Sequence, residues 1–418
     1  MSRRLDGGDP GAEVPALPVP ERGLIGVAPG PWLRLTALAA AAGTLVAIVS
    51  GAAHLGTAHR LLAALVAPPL AALVVSAWTA HRPLVPAALA ASALVAAAAA
   101  APGSGLHAVF AAAALAALLV VAVQAFRGER VPWGAWRDYV ALTKPRIMSL
   151  LLVTGFFGMI AGARGWPGTG RAGAAMLGLA LACGGASALN HVLDRDIDPL
   201  MGERTKARPV ASGRVAPSRA LEFGLALSAF SFVLLASAVN LLTAVLALAG
   251  NLFYVVVYTR FLKRTTTQNI VIGGAAGAVP PLVGWAAATG HLGIPALLLF
   301  AIVFVWTPPH FWALALLIKD NYRAANVPML PVVRGDRATA RQIVLYSLVL
   351  VVVTLAPWAW GGAGPLYVVC ALALGAVFVG LAERLRRDLA PRSAALLFHY
   401  SLLYLALLYA ALALDAVV

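Results

Sequence analysis

Long uninterrupted apolar runs alternate with short polar segments along most of this chain. Residues 35–51 and 270–289 contain no charged side chain. A helix needs roughly 20 apolar residues to cross the hydrocarbon core of a bilayer, and several runs reach that length. The pattern predicts thirteen membrane-spanning helices, at about 33–53, 60–79, 84–101, 106–126, 147–163, 172–192, 220–237, 240–259, 269–288, 293–317, 343–361, 365–382 and 394–414.

The predicted spans fall into two groups on either side of a basic linker from Arg127 to Arg146. Four spans lie in residues 32–126 and nine lie in residues 127–418. Residues 1–31 are polar and rich in Pro and Gly, which predicts a disordered cytoplasmic tail. The pattern therefore predicts an all-α polytopic membrane protein, in which a nine-helix bundle is preceded by four extra transmembrane helices.

The distribution of positive charge predicts the orientation of these spans. With the N-terminus in the cytoplasm, 28 of the 31 Lys and Arg residues lie inside, and only Arg60, Arg164 and Arg171 lie outside. Cytoplasmic loops of membrane proteins carry such an excess of Lys and Arg. One wrongly assigned span would invert every later loop, so the asymmetry supports both the count and the orientation. We therefore expect a multi-pass protein of the inner (plasma) membrane.

The composition and net charge agree with this class of protein. The chain is 61% hydrophobic and only 11% charged, whereas soluble domains carry about 25% charged residues. A net charge of +15 would suggest nucleic acid in a soluble protein. Here the basic residues lie between apolar runs, so we expect anionic lipid headgroups as partners and no nucleic acid. Cys183 and Cys370 both lie inside apolar runs and are predicted to be small core residues.

A cluster of acidic residues follows the sixth predicted span. Only 16 residues are acidic, and three of them, Asp194, Asp196 and Asp198, fall within five positions. Asn190, Asp194 and Asp198 recur every four residues, so they share one face if the helix continues. Oxygen side chains grouped in this way suit Mg²⁺, which keeps several waters and bridges to phosphate oxygens. The pattern predicts a metal site formed by these three residues, with Asp196 on the other side.

Basic residues surround the acidic cluster. Arg195 lies within it, and Arg204, Lys206, Arg208 and Arg214 follow at once. Each of them singly would be a topology determinant. Together with carboxylates that bind a metal, such cations can neutralise a diphosphate as it leaves. We therefore expect two or three of them to contact phosphate.

Five stretches of the chain together resemble one known family. The closest resemblance is to the UbiA-type intramembrane prenyltransferases, and among them to the protoheme IX farnesyltransferases, also called heme O synthases. The resemblance covers residues 138 to about 415. The matching stretches are Leu142–Ile147, Asn190–Asp198 with residues 203–209 and 212–214, Tyr258–Gly274, Trp306–Ala315, and Lys319–Tyr322 with residues 327–332.

The resemblance implies a fold, a reaction and a set of site residues. It implies nine helices around a central cavity, and transfer of farnesyl from farnesyl diphosphate to a vinyl group of heme B, which gives heme O. It implies Mg²⁺ at Asn190, Asp194 and Asp198, and a second ion at Asp320. This sequence departs from the family pattern at Asn321, which replaces the usual acidic residue, so we expect weaker binding of the second ion. The remaining candidates are diphosphate contacts at Lys144, Arg195, Lys206, Arg208, Lys263 and Arg264, and other substrate contacts at Tyr258, His310 and Trp312.

The four N-terminal spans lie outside this resemblance. His59 and His107 lie near the outer ends of the second and fourth spans, so they share one membrane depth. Two imidazoles on facing helices can ligate one heme axially, and the module weakly resembles half of heme A synthase. Heme A synthase is therefore a candidate partner. The alternative is an accessory bundle in which both histidines are incidental.

Three rival functions remain open at this point. The first is a prenyltransferase with another acceptor, such as a quinone precursor, and residues 306–312 argue against it. The second is a transporter, which usually places its charges near the midplane of broken helices and contains internal repeats. The third is a non-catalytic heme-binding scaffold, which would not need the acidic residues that are present after the sixth span.

Overall fold

The computed structural model describes residues 29–102, 105–127 and 133–418, and every regular element in these ranges is helical. Thirteen of the described helices are long and apolar enough to cross a membrane, which confirms the predicted number of spans. The predicted tail over residues 1–31 lies almost wholly outside the described residues. So does part of the predicted linker.

The bounds of the helices are as follows. Before residue 128 they are α1 (Pro31–Ala52), α2 (Thr57–Ala64), α3 (Ala67–Ala80), α4 (Val85–Ala100) and α5 (Gly105–Arg127), with a 3-10 helix at Arg82–Leu84. Then come α6 (Trp136–Leu142), α7 (Pro145–Ala163), α8 (Thr169–Leu193), a 3-10 helix at Asp198–Leu200, α9 (Glu203–Lys206), α10 (Pro217–Ala238) and α11 (Leu241–Leu252). A π-helix (Phe253–Leu262) leads to α12 (Lys263–Thr265), α13 (Asn269–Thr289), α14 (Ile294–Leu317), α15 (Lys319–Ala324), α16 (Leu330–Ala359), α17 (Pro365–Asp388) and α18 (Pro391–Asp415).

Proline residues account for several of the boundaries. Each of five helices begins at a Pro: α1, α7, α10, α17 and α18. The N–H groups in the first turn of a helix have no carbonyl partner within the helix, so the missing N–H of Pro removes no hydrogen bond there. The second span is broken into α2 and α3, and the cause is Pro68 and Pro69. These residues cannot donate to the carbonyls of Ala64 and Leu65, so α2 ends at Ala64.

The span predicted at 343–361 begins earlier than expected. α16 starts at Leu330, and Gly335, with a φ of 78°, bends the chain within it. Residues 334–341 include four charged side chains, so hydropathy identifies only the part of the helix that is apolar enough for lipid. The same reason explains why α17 continues six residues beyond the predicted end, to Asp388.

The bundle is closed by close helix–helix contacts at small residues. α7 packs on α13 and α8 packs on α10. Gly158 lies directly against the backbone of Pro281, and Gly284 lies against that of Gly155. Membrane helices approach each other in this way because small side chains let dispersion contacts form between backbones.

The four N-terminal spans pack on the later helices through α5. A cluster of buried side chains, including Ala112, Leu115 and Ala116 of α5 and Ala229 and Val233 of α10, forms the contact. Buried contacts therefore join the described helices on the two sides of the predicted boundary near residue 127. The division into two domains stays a prediction.

Candidate functional site

The acidic cluster lies at the end of α8, in a turn that continues the helical path. α8 ends at Leu193, so the helix does not run on to Asp198. However, the backbone N–H of Asp198 donates to the carbonyl of Asp194 over 2.8 Å, and that of Ile197 donates to the same oxygen over 3.0 Å. One helix-like turn is therefore kept, which leaves Asp198 one turn beyond Asp194.

The three predicted metal ligands are buried in one polar network. The exposed fractions of Asn190, Asp194 and Asp198 are 3%, 1% and 0%. Asn190 Nδ2 donates to Asp194 Oδ2 over 2.8 Å. Burying two carboxylates in a helical bundle is costly unless charged partners or a metal compensate for the lost water.

Three basic side chains supply part of that compensation. Lys144 Nζ donates to Asn190 Oδ1 over 2.7 Å, and Lys263 Nζ donates to Asp194 Oδ2 over 2.6 Å. An Arg208 nitrogen lies 2.6 Å from Asp198 Oδ1. The structure thus brings together three of the predicted diphosphate contacts, from three distant parts of the sequence, around the predicted metal ligands.

Two carboxylate oxygens in this network have no hydrogen-bond partner among the described residues. They are Asp194 Oδ1 and Asp198 Oδ2, and both are buried. A carboxylate oxygen can only accept, so a cation is the natural partner for each of them. The described residues contain no group of three or more His, Cys, Asp or Glu side chains that could hold a metal. A site of two carboxylates and one amide fits Mg²⁺, which takes few protein ligands and leaves positions for water and phosphate.

Burial shifts the pKa values of two ionisable groups in the site. Burial raises the pKa of Asp198, although the neighbouring Arg208 acts in the opposite sense. Burial, and then the positive charge of Arg208, lower the pKa of Lys144 to about 7. Both shifts have the same main cause, which is that the low-dielectric surroundings disfavour a charge without full compensation.

A π-helix positions the side chain of Thr259 against Asn190. The segment Phe253–Leu262 is wound with five-residue hydrogen bonds, and Thr259 Oγ1 donates to the carbonyl of Tyr254 over 2.9 Å. Thr259 Oγ1 also lies 3.2 Å from Asn190 Nδ2, whose N–H donates to it. π-turns inside α-helices frequently occur at functional sites. Thr259 was not predicted, because nothing in the hydrophobic pattern marks a π-turn.

We expect Thr259→Val to lower the rate of the predicted prenyl transfer about 10-fold, because one buried N–H of the Asn190 amide loses its acceptor, and an unsatisfied buried donor costs about 1–3 kcal/mol. The valine keeps the shape of the side chain but cannot accept from Asn190. The rate should be measured on purified protein with saturating substrates. Thr265→Val is the matched control, since Thr265 is exposed and donates only to the carbonyl of Phe261. Equal losses in the two variants would contradict the role given to Thr259.

Arg264 holds the turn through Asp196 and also forms a longer ion pair, of 3.9 Å, with the buried Asp194 Oδ1. Its guanidinium makes two contacts with Asp196, of 2.6 and 2.7 Å, and donates to the carbonyl of Leu193 over 2.8 Å. The hydrogen bonds from Arg264 lower the pKa of Asp196 to about 2. Arg264 therefore caps the end of α8 and fixes the path of the acidic turn.

Three other predicted site residues lie outside the buried network. The exposed side chain of Arg195 donates to the carbonyl of Val192. Lys206 is exposed beside Glu203, and Asp320 is exposed and paired with Arg323. Their predicted contacts with diphosphate or a second Mg²⁺ stay predictions.

Two stacked tyrosine side chains lie near the buried network. The rings of Tyr254 and Tyr258 stack with centroids 5.5 Å apart. A Cβ atom at Gly273 would lie 2.3 Å from the ring of Tyr258, so the ring can pack here only because residue 273 has no side chain. Tyr258, predicted as a substrate contact, is thus half-buried on the π-helix, one residue before Thr259.

His310 is buried in an aromatic stack on α14. Its ring lies between those of Trp306 and Phe398, with centroid distances of 4.3 and 4.8 Å. Its Nδ1 lies 2.6 Å from Ser401 Oγ, and that hydroxyl already donates to the carbonyl of Phe398. Nδ1 must therefore carry the proton, which leaves the lone pair of the ring on Nε2.

Trp312 and His191 are among the other buried groups with polar atoms that have no hydrogen-bond partner among the described residues. Trp312, predicted as a substrate contact, is buried with an unpaired Nε1. His191, next to Asn190, is buried with both ring nitrogens unpaired. The sequence argument treated His191 as structural because it lies off the face of the acidic array.

Comparison with known proteins identifies the family. The model of the UbiA prenyltransferase family matches residues 151–408. The chain belongs to the UbiA prenyltransferase family. This confirms the family resemblance found in the sequence, and residues 1–150 lie outside the match.

Three similar proteins are named protoheme IX farnesyltransferase. The protoheme IX farnesyltransferase of Symbiobacterium thermophilum is 54% identical over 281 residues, which are 67% of this chain and 94% of that protein. Protoheme IX farnesyltransferase 1 of Pseudomonas putida is 52% identical over 280 residues, which are 67% of this chain and 94% of that protein. The protoheme IX farnesyltransferase of Thermus thermophilus is 53% identical over 283 residues, 68% of this chain. The match covers only 46% of the Thermus protein, so this chain spans about half of that relative.

Solved UbiA structures share the fold. Digeranylgeranylglyceryl phosphate synthase matches with a TM-score of 0.57 at 15% identity, over 67% of this chain and 98% of that chain. A UbiA homolog from Archaeoglobus fulgidus, bound to GPP and Mg²⁺, matches with a TM-score of 0.50 at 16% identity, over 66% of this chain and 99% of that chain. At such identities the similarity establishes the UbiA fold alone.

Proposed function

We propose that this protein transfers the farnesyl group of farnesyl diphosphate to a vinyl group of heme B and so makes heme O. The observation that carries the proposal is the buried network of Asn190, Asp194 and Asp198, faced by Lys144, Lys263 and Arg208. Carboxylates for a metal beside converging cations suit a substrate whose leaving group is diphosphate. The relatives named protoheme IX farnesyltransferase support the choice of acceptor.

Each group of residues has a part in the reaction. The bond between C1 of farnesyl and the diphosphate oxygen breaks, and its electron pair leaves with the diphosphate, beside Lys144, Lys263 and Arg208. The electrons of the vinyl group form the new C–C bond to C1. Water then adds to the cation on the former vinyl carbon and releases a proton, which gives a hydroxyethylfarnesyl group. When bound at the acidic residues, Mg²⁺ supplies further positive charge to the leaving diphosphate.

The membrane environment contributes by exclusion of water. The allylic cation that develops on farnesyl would be quenched by water before the vinyl group could attack. The half-buried aromatic residues near the network, Tyr254 and Tyr258, keep their surroundings apolar. The farnesyl chain is itself apolar, so a cavity among transmembrane helices suits it.

The direct test supplies purified protein with heme B, farnesyl diphosphate and Mg²⁺, and reads the pigments by mass. We expect heme O to form, and we expect its formation to stop when EDTA removes the metal and to resume when Mg²⁺ is added in excess. A matched reaction with 4-hydroxybenzoate in place of heme B should give no prenylated product. Prenylation of 4-hydroxybenzoate instead of heme would overturn the acceptor, and activity in excess EDTA would overturn the requirement for Mg²⁺.

We further propose that the acidic turn faces the cytoplasm from the inner (plasma) membrane. The 28 Lys and Arg residues on one side of the predicted spans support this orientation. Heme O made there would be available to an enzyme that oxidises it further, and heme A synthase is the partner suggested by the reaction.

A further inference from the structure

Two histidine rings from separate helices lie against each other at one end of the four N-terminal spans. His59 belongs to α2 and His107 to α5. Their ring centroids are 6.2 Å apart, and the ring planes make an angle of 82°. Both side chains are half-buried, and neither takes part in the acidic network at the end of α8.

Hydrogen bonds to backbone carbonyls determine which nitrogen of each ring carries the proton. His59 Nδ1 lies 3.0 Å from the carbonyl oxygen of Ala47 and 3.1 Å from Ser50 Oγ, which itself donates to Ala47. His107 Nδ1 lies 2.7 Å from the carbonyl oxygen of Ala98. A carbonyl can only accept, so each Nδ1 must donate. In a neutral imidazole this places the lone pair on Nε2, which is the arrangement found in histidines that bind metals.

The separation of the rings matches that of two axial ligands on one metal. A bond of about 2.0 Å from a metal to an imidazole nitrogen, plus about 1.1 Å from that nitrogen to the ring centre, gives about 6.2 Å between rings on opposite sides of the metal. The measured centroid distance has this value.

The number of available ligands favours a porphyrin over a bare ion. Within the part of the chain that the structure describes, no third His, Cys, Asp or Glu joins the pair to form a metal-binding group. A bare zinc ion would need four ligands, and the protein offers two. An iron porphyrin brings four equatorial nitrogens of its own and needs only two axial ligands.

Small residues of α1 and α4 surround the pair. The groups that touch the rings are small: Ala47, Ser50, Gly51 and Ala98. A Cβ atom at Gly51 would lie 2.9 Å from the His59 ring, so helix α1 passes close beside the ring only because this position is glycine. The exposed Arg60 follows His59 and offers a positive charge to the propionates of a porphyrin.

We propose that His59 and His107 bind the iron of a porphyrin as its two axial ligands, between α2 and α5. This site is separate from the prenyl-transfer site and does not depend on the proposed reaction. The four N-terminal spans are then a heme-binding module that is joined through α5 to the catalytic helices.

The test titrates hemin into the purified full-length protein and follows the absorption and electron paramagnetic resonance spectra. We expect a six-coordinate low-spin signal with two imidazole ligands in the wild type. In His59→Ala and in His107→Ala this signal should disappear, with binding at this site weakened at least about 100-fold, because even the loss of a group that orients a ligand costs 10–100-fold. His54→Ala and His81→Ala, in the same four spans, should retain the signal.

Two further variants separate ligation from a structural role. His59→Met should give a low-spin spectrum of one imidazole and one thioether, since Met is itself an axial ligand of heme. His107→Gly should regain the bis-imidazole signal when free imidazole is added. A low-spin signal that survives in the His59→Ala/His107→Ala double variant, or that is lost only in His310→Ala, would overturn the proposal. So would a wild-type protein that forms no low-spin complex.

Discussion

Replacing Asp194 with asparagine is expected to lower the rate of the proposed heme O formation at least about 100-fold, which is the usual cost of removing one group that stabilises charge in a transition state. Asp194 is 1% exposed and lies at the centre of the polar network, where it contacts both Asn190 and Lys263. The amide keeps the shape of the side chain but removes the negative charge that a divalent cation needs. The rate of heme O formation, read by mass under saturating substrates, checks this result.

The loss of the Asp194 charge could also unfold the protein, because removing one partner from a buried ion pair costs about 3–5 kcal/mol. The double variant Asp194→Asn/Lys263→Gln removes both charges, so it should recover folded yield in detergent while staying inactive. Asp196→Asn is the matched control, because Asp196 lies in the same turn but is 59% exposed. We expect it to change the rate less than about 3-fold, as exposed ion pairs contribute little. Activity recovered together with folding in the double variant would refute a chemical role for Asp194.

Replacing Gly284 with alanine is expected to destabilise the bundle by about 3 kcal/mol, at the upper end of what overpacking usually costs. A Cβ atom there would lie 1.9 Å from the carbonyl oxygen of Gly155 and 2.8 Å from its carbonyl carbon. Both atoms belong to the backbone of α7, so no side chain can move aside. The helices α7 and α13 must separate, and α7 follows directly after Lys144. Thermal unfolding of the protein in detergent should show a lower midpoint and a lower folded yield.

Gly277→Ala is the matched control for this effect. Gly277 lies on the same helix α13, and a Cβ atom there meets nothing within 4 Å. We expect an unchanged or slightly higher midpoint of thermal unfolding, because alanine stabilises a helix by about 0.5–1 kcal/mol relative to glycine. A similar loss of stability in both variants would mean that α13 tolerates no alanine for reasons of its own, and the close approach to Gly155 would not be the cause.

Several features of this protein follow from local sequence alone. The thirteen spans were predictable because lipid imposes one simple requirement, about 20 apolar residues in a helix, and each run meets it independently of its neighbours. The acidic motif was visible because Asn190, Asp194 and Asp198 are close in the sequence. The family was recognisable from the same motif and the stretches that follow it.

The boundaries of α16 and α17 were less predictable. Hydropathy locates the apolar part of a helix that can lie in lipid, whereas the helix itself ends where its backbone hydrogen bonds end. Both helices carry charged turns beyond the apolar run, and α16 bends at Gly335, where only the positive φ of the folded chain shows the change of direction.

The tertiary structure decided which basic side chains reach the acidic turn. Lys144, Arg208 and Lys263 are distant from one another in sequence yet meet at Asn190, Asp194 and Asp198, while Arg195 lies within the motif and faces outward. The sequence alone does not distinguish these basic side chains, because it does not show which face of each helix points towards the site.

The sequence by itself determined that this protein is a helical membrane protein with a compact acidic motif, because apolar length and the spacing of like side chains are local properties. Only the tertiary structure decided the π-helix that brings Thr259 to Asn190, and the pairing of His59 with His107. The two residues of each pair are held by hydrogen bonds and packing between separate helices, and the energy of such contacts exists only once those helices have come together.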